Sequence, residues 1–280
     1  MRRLFVFGLG YTASSLALRL RGEGWDVAGT CRGDSGRAAL EQAGITIWAF
    51  DGTAPLPAEV LNGTTHILAS IPPDPDDPAL RHHAEDIARL PGLAWTGYLS
   101  TTSVYGVEDG GWVDEDTPCR PTSERGRRRL DAERGWAAQS AHIFRLSGIY
   151  GPGRSVLDQI RAGTAQRIVK PGQAFNRIHR DDIVTTLLAS IARPVPGRIY
   201  NLADDLPAPS GDVVAQGCAL LGVPPPPEIA FEAAELSPMA RSFWADNKRI
   251  RNTRIRQELG VRLAYPTYRE GLAAILAAGG

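Results

Sequence analysis

Gly8-Leu9-Gly10-Tyr11-Thr12-Ala13 is the first stretch whose residue types and spacing could do chemistry. It reads G-x-G-x-x-A. It follows the apolar run Leu4–Phe7 and opens a segment, Thr12 to about Arg21, that carries Leu16, Ala17 and Leu20 at helical spacing. In a strand–turn–helix, the first glycine permits the tight turn and the second lets backbone approach a pyrophosphate. The alanine lets helix and sheet pack closely, and the helix N-terminus offers free N–H groups and a favourable dipole to the anion. The pattern predicts a dinucleotide site with Gly8, Gly10, Tyr11, Thr12 and Ala13 around the phosphates. A glycine-rich turn without a ligand is the competing reading, and the placement between strand and helix argues against it.

The tip of the second strand selects among dinucleotides, because an acidic residue there holds the ribose hydroxyls of NAD. Here the strand ends Gly29-Thr30-Cys31-Arg32. Arg32 suits a 2′-phosphate through a charge-assisted, bidentate contact. NADP(H) is therefore the expected cofactor. NAD stays open, since Asp34 could still reach a ribose, and Arg32 could be a solvated loop arginine.

The elements that must position these residues alternate. Strands are expected at Leu4–Phe7, Trp25–Thr30, Ile45–Phe50, His66–Ile71, Gly97–Thr101 and Ile143–Leu146, with helices between them. Asp77 as N-cap and Pro78 in the first turn should launch a helix that runs to Leu90. Strands separated by helices imply βαβ units, a parallel sheet and ligands at the carboxyl ends of its strands. After Tyr150 the texture changes. Helices are expected at Asp181–Ala192 and near Glu270–Ala278, a strand at Gly197–Asn201, a stiff connector at Pro224–Pro227, and a basic face from Lys248 to Arg256.

The bulk numbers exclude several classes. Lys plus Arg and Asp plus Glu both number 31, so a dominant nucleic-acid footprint is not expected. No apolar stretch is long enough to span a membrane. Three cysteines, Cys31, Cys119 and Cys218, without a C-x-x-C, fit a reduced compartment, so the cytoplasm is the expected location. The histidines His66, His82, His83, His142 and His179 show no metal-ligand spacing, and no metal is expected.

Three further stretches are Ser100-Thr101-Thr102-Ser103-Val104-Tyr105-Gly106, Arg145-Leu146-Ser147-Gly148-Ile149-Tyr150-Gly151-Pro152-Gly153-Arg154, and Phe175-Asn176-Arg177-Ile178-His179-Arg180-Asp181-Asp182. With the glycine loop, and with Tyr200-Asn201-Leu202-Ala203 and Arg269-Glu270-Gly271-Leu272, they resemble the extended short-chain dehydrogenase/reductase family, also called the NAD-dependent epimerase/dehydratase family. The resemblance spans nearly the whole chain. It implies an α/β fold with a Rossmann-type doubly wound parallel sheet and a smaller C-terminal substrate lobe. The NAD(P)-binding domain would cover 1–150, with 179–203 returning to it, and the substrate lobe 151–280. The resemblance also implies that Asp51 and Gly52 contact the adenine and that Ala69, Ser70 and Ile71 line the cofactor. Thr101 would be the catalytic hydroxyl that hydrogen-bonds the reacting oxygen.

One departure concerns the reaction itself. The family's Y-x-x-x-K supplies a proton-exchanging tyrosine and a lysine that lowers its pKa and holds the nicotinamide ribose. In Glu124-Arg125-Gly126-Arg127-Arg128-Arg129, Arg125 takes the tyrosine's place and Arg129 the lysine's. Arginine stays protonated, so it cannot exchange the proton, although it can stabilise an oxyanion or grip a carboxylate or phosphate. Thr102 and Ser103 stand where dehydratases carry an acidic pair, which closes that route. The run Arg125 to Arg129, with Glu124, Asp131 and Glu133 interleaved on the same predicted helix, reads as a solvated, ion-paired face rather than a nucleic-acid patch. Trp112, Trp136 and Trp244 read as core or lobe-closing groups.

Two functions follow. One is an oxidoreductase or epimerase-like enzyme with a non-standard acid/base site (Thr101, Arg125, Arg129), acting on a small substrate that is anionic or nucleotide-linked. The other is an inactive NADP(H)-binding sensor. In either case a small-molecule ligand is the expected partner, without nucleic acid or membrane. The heavily charged helix around Arg125 points to a monomer or weak homodimer.

Overall fold

The computed structural model describes residues 2–34, 36–107 and 109–279. Its elements begin β1 (Arg3–Phe7), α1 (Tyr11–Gly22), β2 (Asp26–Cys31), α2 (Arg37–Gln42), β3 (Thr46–Ala49) and β4 (His66–Ala69). They continue α3 (Pro78–Ala88), β5 (Trp95–Thr101), β6 (Trp112–Val113), α4 (Glu124–Ala138), β7 (His142–Leu146) and β8 (Gly148–Tyr150). Then come α5 (Val156–Arg161), β9 (Arg167–Val169), β10 (Arg177–His179), α6 (Arg180–Ala192), β11 (Ile199–Leu202) and α7 (Ser210–Leu221). The chain closes with β12 (Glu228–Ala230), α8 (Pro238–Ser242), β13 (Arg249–Ile250), α9 (Thr253–Leu259) and α10 (Tyr268–Ala277).

These elements form two compact units. One comprises Met1–Val104, Glu124–Arg145 and Val184–Tyr200; the other comprises Tyr105–Ser123, Leu146–Ile183 and Asn201–Gly280.

The first unit is built on a seven-stranded sheet of order β11-β7-β5-β4-β1-β2-β3. Strands β3, β2, β1, β4 and β5 are parallel neighbours. This is a Rossmann-type doubly wound sheet. Because helices cover both of its faces, its inner strands are buried along nearly their whole length rather than at alternate residues. β4 and β7 are buried at every residue. Chain order reverses between β1 and β4, which places a crevice at the carboxyl ends of those two strands. Phe5, Phe7, Tyr98, Trp136 and Ile143 share one core cluster. Helix α1 buries Thr12, Ala13, Leu16, Ala17 and Leu20 against the sheet. Asp77 caps α3 as its sequence predicts, accepting from the N–H groups of Ala79 (3.0 Å) and Leu80 (3.1 Å).

The second unit holds three two-stranded parallel pairs, β8–β10, β9–β12 and β6–β13. One of its cores gathers Tyr150, Leu157, Val213, Tyr268, Leu272 and Ile275. Two sequence expectations are corrected here. Of the two roles expected for Trp112, core or lobe-closing, the core role is excluded: it is 50% exposed, with the Arg251 guanidinium over its ring. The basic face from Lys248 onward is largely neutralised within the unit. Lys248 is buried and pairs with Asp246 at 2.8 Å, and Arg254 pairs with Asp116 at 2.6 Å. Among the described residues no helix is long and apolar enough to cross a membrane.

Candidate functional site

The glycine loop lies between β1 and α1. Gly8 adopts φ +91°, a conformation that favours glycine, and a Cβ there would stand 2.8 Å from Ile71 Cγ1. Its N–H donates to Thr30 Oγ1 at 2.8 Å, and the N–H of Leu9 donates to the Thr30 carbonyl at 2.8 Å. The loop is thus tied to the end of β2. Gly29 beneath it has no room for a side chain, since a Cβ would meet the Val6 carbonyl at 2.7 Å. Gly10 is different. Its φ of −88° is open to any residue, and nothing lies within 4 Å of the place a Cβ would take. Gly10 is the N-cap of α1, which has no side-chain cap and no acidic residue in its first turn. Tyr11 is half-buried, while Thr12 and Ala13 are buried. An open space facing an uncapped helix N-terminus suits an anionic ligand.

The other cofactor candidates gather around this loop. Arg32 follows β2 directly, is exposed, and makes no ion pair among the described residues. Ala69 ends β4 buried. The Ser70 N–H donates to the Phe7 carbonyl at 2.8 Å, so Ser70 and Ile71 stand beside the start of the glycine loop. Phe50 N–H bonds the Cys31 carbonyl at 3.0 Å, which brings Asp51 close to the tip of β2. One oxygen of Asp51 accepts from the N–H and hydroxyl of Thr53, and these bonds hold its carboxyl below the usual range. Gly52 is buried with φ +86°, and its carbonyl is occupied by Arg81 and by His82 Nε2. The adenine contact implied for Gly52 therefore cannot run through a free carbonyl.

Thr101 ends β5 half-buried, and its hydroxyl donates to Ser103 Oγ at 3.2 Å. Helix α4 packs beside it and presents two different faces. Arg127 and Arg128 are paired with Glu124, as a solvated face requires. Arg129 and Glu133 are not on that face, which corrects the sequence reading. Both are buried, with Gly126, Ala132 and Trp136. Arg129 Nη1 donates to the Tyr98 hydroxyl (3.0 Å) and the Leu99 carbonyl (2.9 Å), and its Nε is buried without a hydrogen-bond partner. Glu133 holds Arg145 in an enclosed ion pair at 2.8 Å and accepts from Ser100 Oγ at 2.5 Å. The spacing of 129, 132, 133 and 136, with Trp136 among them, is the helical signal that marks this buried face.

Arg125, one turn before Arg129, has its side chain more exposed. Partial burial and the neighbouring Arg129 charge make its protonation less favourable than usual. No side chain of Arg125, Arg129, Thr101, Thr102 or Ser103 can exchange a proton near neutral pH. The tyrosines of the flanking motifs are structural. Tyr105 donates to Asn201 Oδ1 at 2.7 Å, and burial pushes the Tyr150 hydroxyl far above its usual range. His179 is buried between Tyr150 and Tyr265 and is pushed down to about 4 by desolvation, so it stays neutral and packed. Among the described residues no cluster of His, Cys, Asp or Glu could hold a metal.

No family model matches the chain. Protein YeeZ of Escherichia coli K12 is 29% identical to it over 290 aligned positions, covering 95% of this chain and 97% of YeeZ. A functionally unknown conserved protein from Silicibacter pomeroyi superposes with a TM-score of 0.92 at 48% identity, over 100% of this chain and 99% of that one. A protein of Methylobacillus flagellatus, described as an NAD-dependent epimerase/dehydratase, superposes with a TM-score of 0.76 at 29% identity, over 99% of this chain and 98% of its own. In fold and sequence the chain is similar to this epimerase/dehydratase of the extended short-chain dehydrogenase/reductase type. The residues of its glycine loop fit an anionic dinucleotide, by the open space at Gly10, the uncapped α1 and the cationic tip of β2. The positions of the superfamily's tyrosine and lysine are held by guanidinium groups.

Proposed function

We propose that this chain binds NADP(H), in preference to NAD(H), and acts as an oxidoreductase or epimerase-like enzyme on a small anionic or nucleotide-linked substrate. The observation that carries this reading is the open cradle at Gly10 in front of an uncapped helix, with Arg32 exposed at the tip of β2. The likeness to the M. flagellatus epimerase/dehydratase supports it.

In this reading the loop Gly8–Ala13 holds the pyrophosphate and Arg32 the 2′-phosphate. Asp51 and Gly52 border the adenine, and Ala69, Ser70 and Ile71 line the dinucleotide. When bound, the nicotinamide supplies hydride transfer. Thr101 hydrogen-bonds the reacting oxygen and Arg125 stabilises negative charge on it, while the proton is exchanged by another group.

A second reading, a sensor that binds the dinucleotide without turnover, is favoured by one observation. Arg129 is locked onto Tyr98 and Leu99, and the tyrosine position carries a permanent cation. Titration with NADPH and NADH, followed by tryptophan fluorescence, tests the binding. Preference for NADPH that collapses in Arg32→Ala is expected, and failure to bind either dinucleotide overturns the reading. Turnover on a carbonyl and sugar-nucleotide panel, lost in Thr101→Ala, separates the enzyme from the sensor.

A further inference from the structure

We infer that Thr30 is a positioning residue for the dinucleotide: its hydroxyl fixes Gly8, and through Gly8 the pyrophosphate loop, before any ligand arrives. The inference rests on the cofactor reading above and adds to it a side chain outside the G-x-G-x-x-A stretch.

The end of β2 supplies an acceptor that the strand ladder lacks. β1 and β2 run in parallel register as far as Val6 opposite Gly29. Beyond that point the backbone gives the loop one more bond, from the Leu9 N–H to the Thr30 carbonyl at 2.8 Å. Gly8 turns out of the strand at φ +91°, and its N–H ends on the Thr30 hydroxyl at 2.8 Å instead of on a strand carbonyl. One residue thus takes the N–H groups of two successive loop positions, one with its side chain and one with its backbone. Thr30 is only 1% exposed, and a β-branched side chain packed in a strand has little freedom at χ1, so the hydroxyl is held where it is. On the other side of Gly8 stands Ile71. A Cβ at Gly8 would lie 2.8 Å from Ile71 Cγ1 and 3.3 Å from its backbone nitrogen. Gly8 is wedged between Thr30 and the residues that follow β4.

This wedge decides which groups can meet a phosphate. The Gly10 N–H turns back to the Gly8 carbonyl at 2.9 Å, and the Ser14 N–H takes the Gly10 carbonyl at 2.9 Å. The N–H groups of Gly8, Leu9 and Gly10 are therefore all engaged within the protein. A pyrophosphate at this loop is met by the first turn of α1, and the loop behind that turn sets its direction. The same strand tip reaches the other side of the site. The Cys31 carbonyl accepts the Phe50 N–H at 3.0 Å, next to Asp51, and Arg32 follows directly. Without the Thr30 hydroxyl the Gly8 N–H loses its acceptor, and part of the binding free energy goes into ordering the loop.

The test is fluorescence titration of the full-length protein with NADPH and, separately, NADH. Thr30→Val keeps the shape and removes the hydroxyl. It should weaken both dinucleotides about tenfold and by similar factors, because the pyrophosphate is common to them. Arg32→Ala, in contrast, should weaken NADPH more than NADH. Thr30→Ser keeps the hydroxyl and should restore most of the affinity. Thr64 of the same unit is fully buried and its hydroxyl has no hydrogen-bond partner, so the chemically matched Thr64→Val should bind as the parent does. A further measurement needs no variant to fold: the Gly8 amide of the ligand-free parent, followed by NMR, should exchange slowly with solvent. The inference is overturned if Thr30→Val lowers only the melting temperature and keeps both affinities, or if Thr30→Ser binds as weakly as Thr30→Val. It is equally overturned if Thr64→Val loses as much affinity, or if the Gly8 amide exchanges like that of an unstructured glycine. Failure of the parent itself to bind either dinucleotide would defeat the cofactor reading and this inference with it, whereas failure confined to the Thr30 variants leaves the cofactor reading standing.

Discussion

Arg145 Nη2 lies 2.8 Å from Glu133 Oε2 in an ion pair that is about 95% buried on both sides. Ser100 Oγ adds a 2.5 Å hydrogen bond to the other carboxylate oxygen. The pair ties α4 to β7 and β5, and so fixes the helix that carries Arg125 and Arg129 against the strand that ends in Thr101. Removing one partner of a buried pair leaves the other charge uncompensated, which costs about 3–5 kcal/mol. Glu133→Gln should lose stability of that order in urea denaturation. Replacing Glu133 and Arg145 together by Met should recover part of the loss. An unchanged midpoint in Glu133→Gln would show that the pair does not hold α4.

Gly8 and Gly10 should respond oppositely to the same substitution. Gly8→Ala forces a Cβ into a φ of +91° and against Ile71, so the fold should lose about 1–2 kcal/mol. Gly10→Ala meets nothing within 4 Å and keeps an ordinary φ, so its melting temperature should stay near the parent's. Its new methyl would occupy the space assigned to the phosphates, and NADPH binding should fall about tenfold or more. Unaltered NADPH affinity in Gly10→Ala, read by fluorescence titration, would move the dinucleotide away from this loop.

Asp77 does two jobs with its two oxygens, capping α3 and receiving Trp136 Nε1. Asp77→Ala should therefore cost about 2–4 kcal/mol, the sum of a lost cap and an unsatisfied buried indole N–H. Asp77→Asn keeps an acceptor and should cost less. Equal losses in the two variants, measured by chemical denaturation, would rule out this division of roles.

Asp204 is 1% exposed, and its Oδ2 has no hydrogen-bond partner. Desolvation raises its pKa to about 7; Asp205 and Asp182 add to the shift, and Arg177 opposes it. The folded state therefore binds this proton more tightly than the unfolded state, whose carboxyl has a pKa of about 4. The resulting stability is fully present below about pH 4 and is lost as pH rises toward 7, with a slope of roughly 1 kcal/mol per pH unit inside that window. Asp204→Asn should remove this slope. The difference in stability between variant and parent, followed by urea titration from pH 4.5 to 7.5, should shift toward the variant as pH rises. A difference that does not change with pH would contradict a raised Asp204 pKa.

Much of the first unit was legible in the chain. The short strands β1, β4, β5 and β7 are buried at nearly every residue because both faces of the sheet are covered. The cap that Asp77 gives Ala79 and Leu80 is local, since it depends on residues within a few positions of itself. The glycine loop could be placed for the same reason: strand, turn and helix are contiguous. Boundaries were less secure. The expected strand His66–Ile71 stops at Ala69, where the Ser70 N–H turns to Phe7.

What the sequence by itself determined is therefore the local chemistry: a glycine loop between strand and helix, an arginine at the tip of β2, and guanidinium groups at the superfamily's tyrosine and lysine positions. Tertiary structure decided the fate of the charges. Arg127 and Arg129 are two positions apart in one basic run, yet one faces solvent with Glu124 and the other is buried on Tyr98 and Leu99. Glu133 looks like the other acidic residues of α4 until Arg145, from the following strand, closes on it. Trp112 resembles Trp136 in type, but only one is covered. Such outcomes depend on which face of a helix meets a sheet and which distant side chain is waiting there, and neither can be read from residue type and nearby spacing alone.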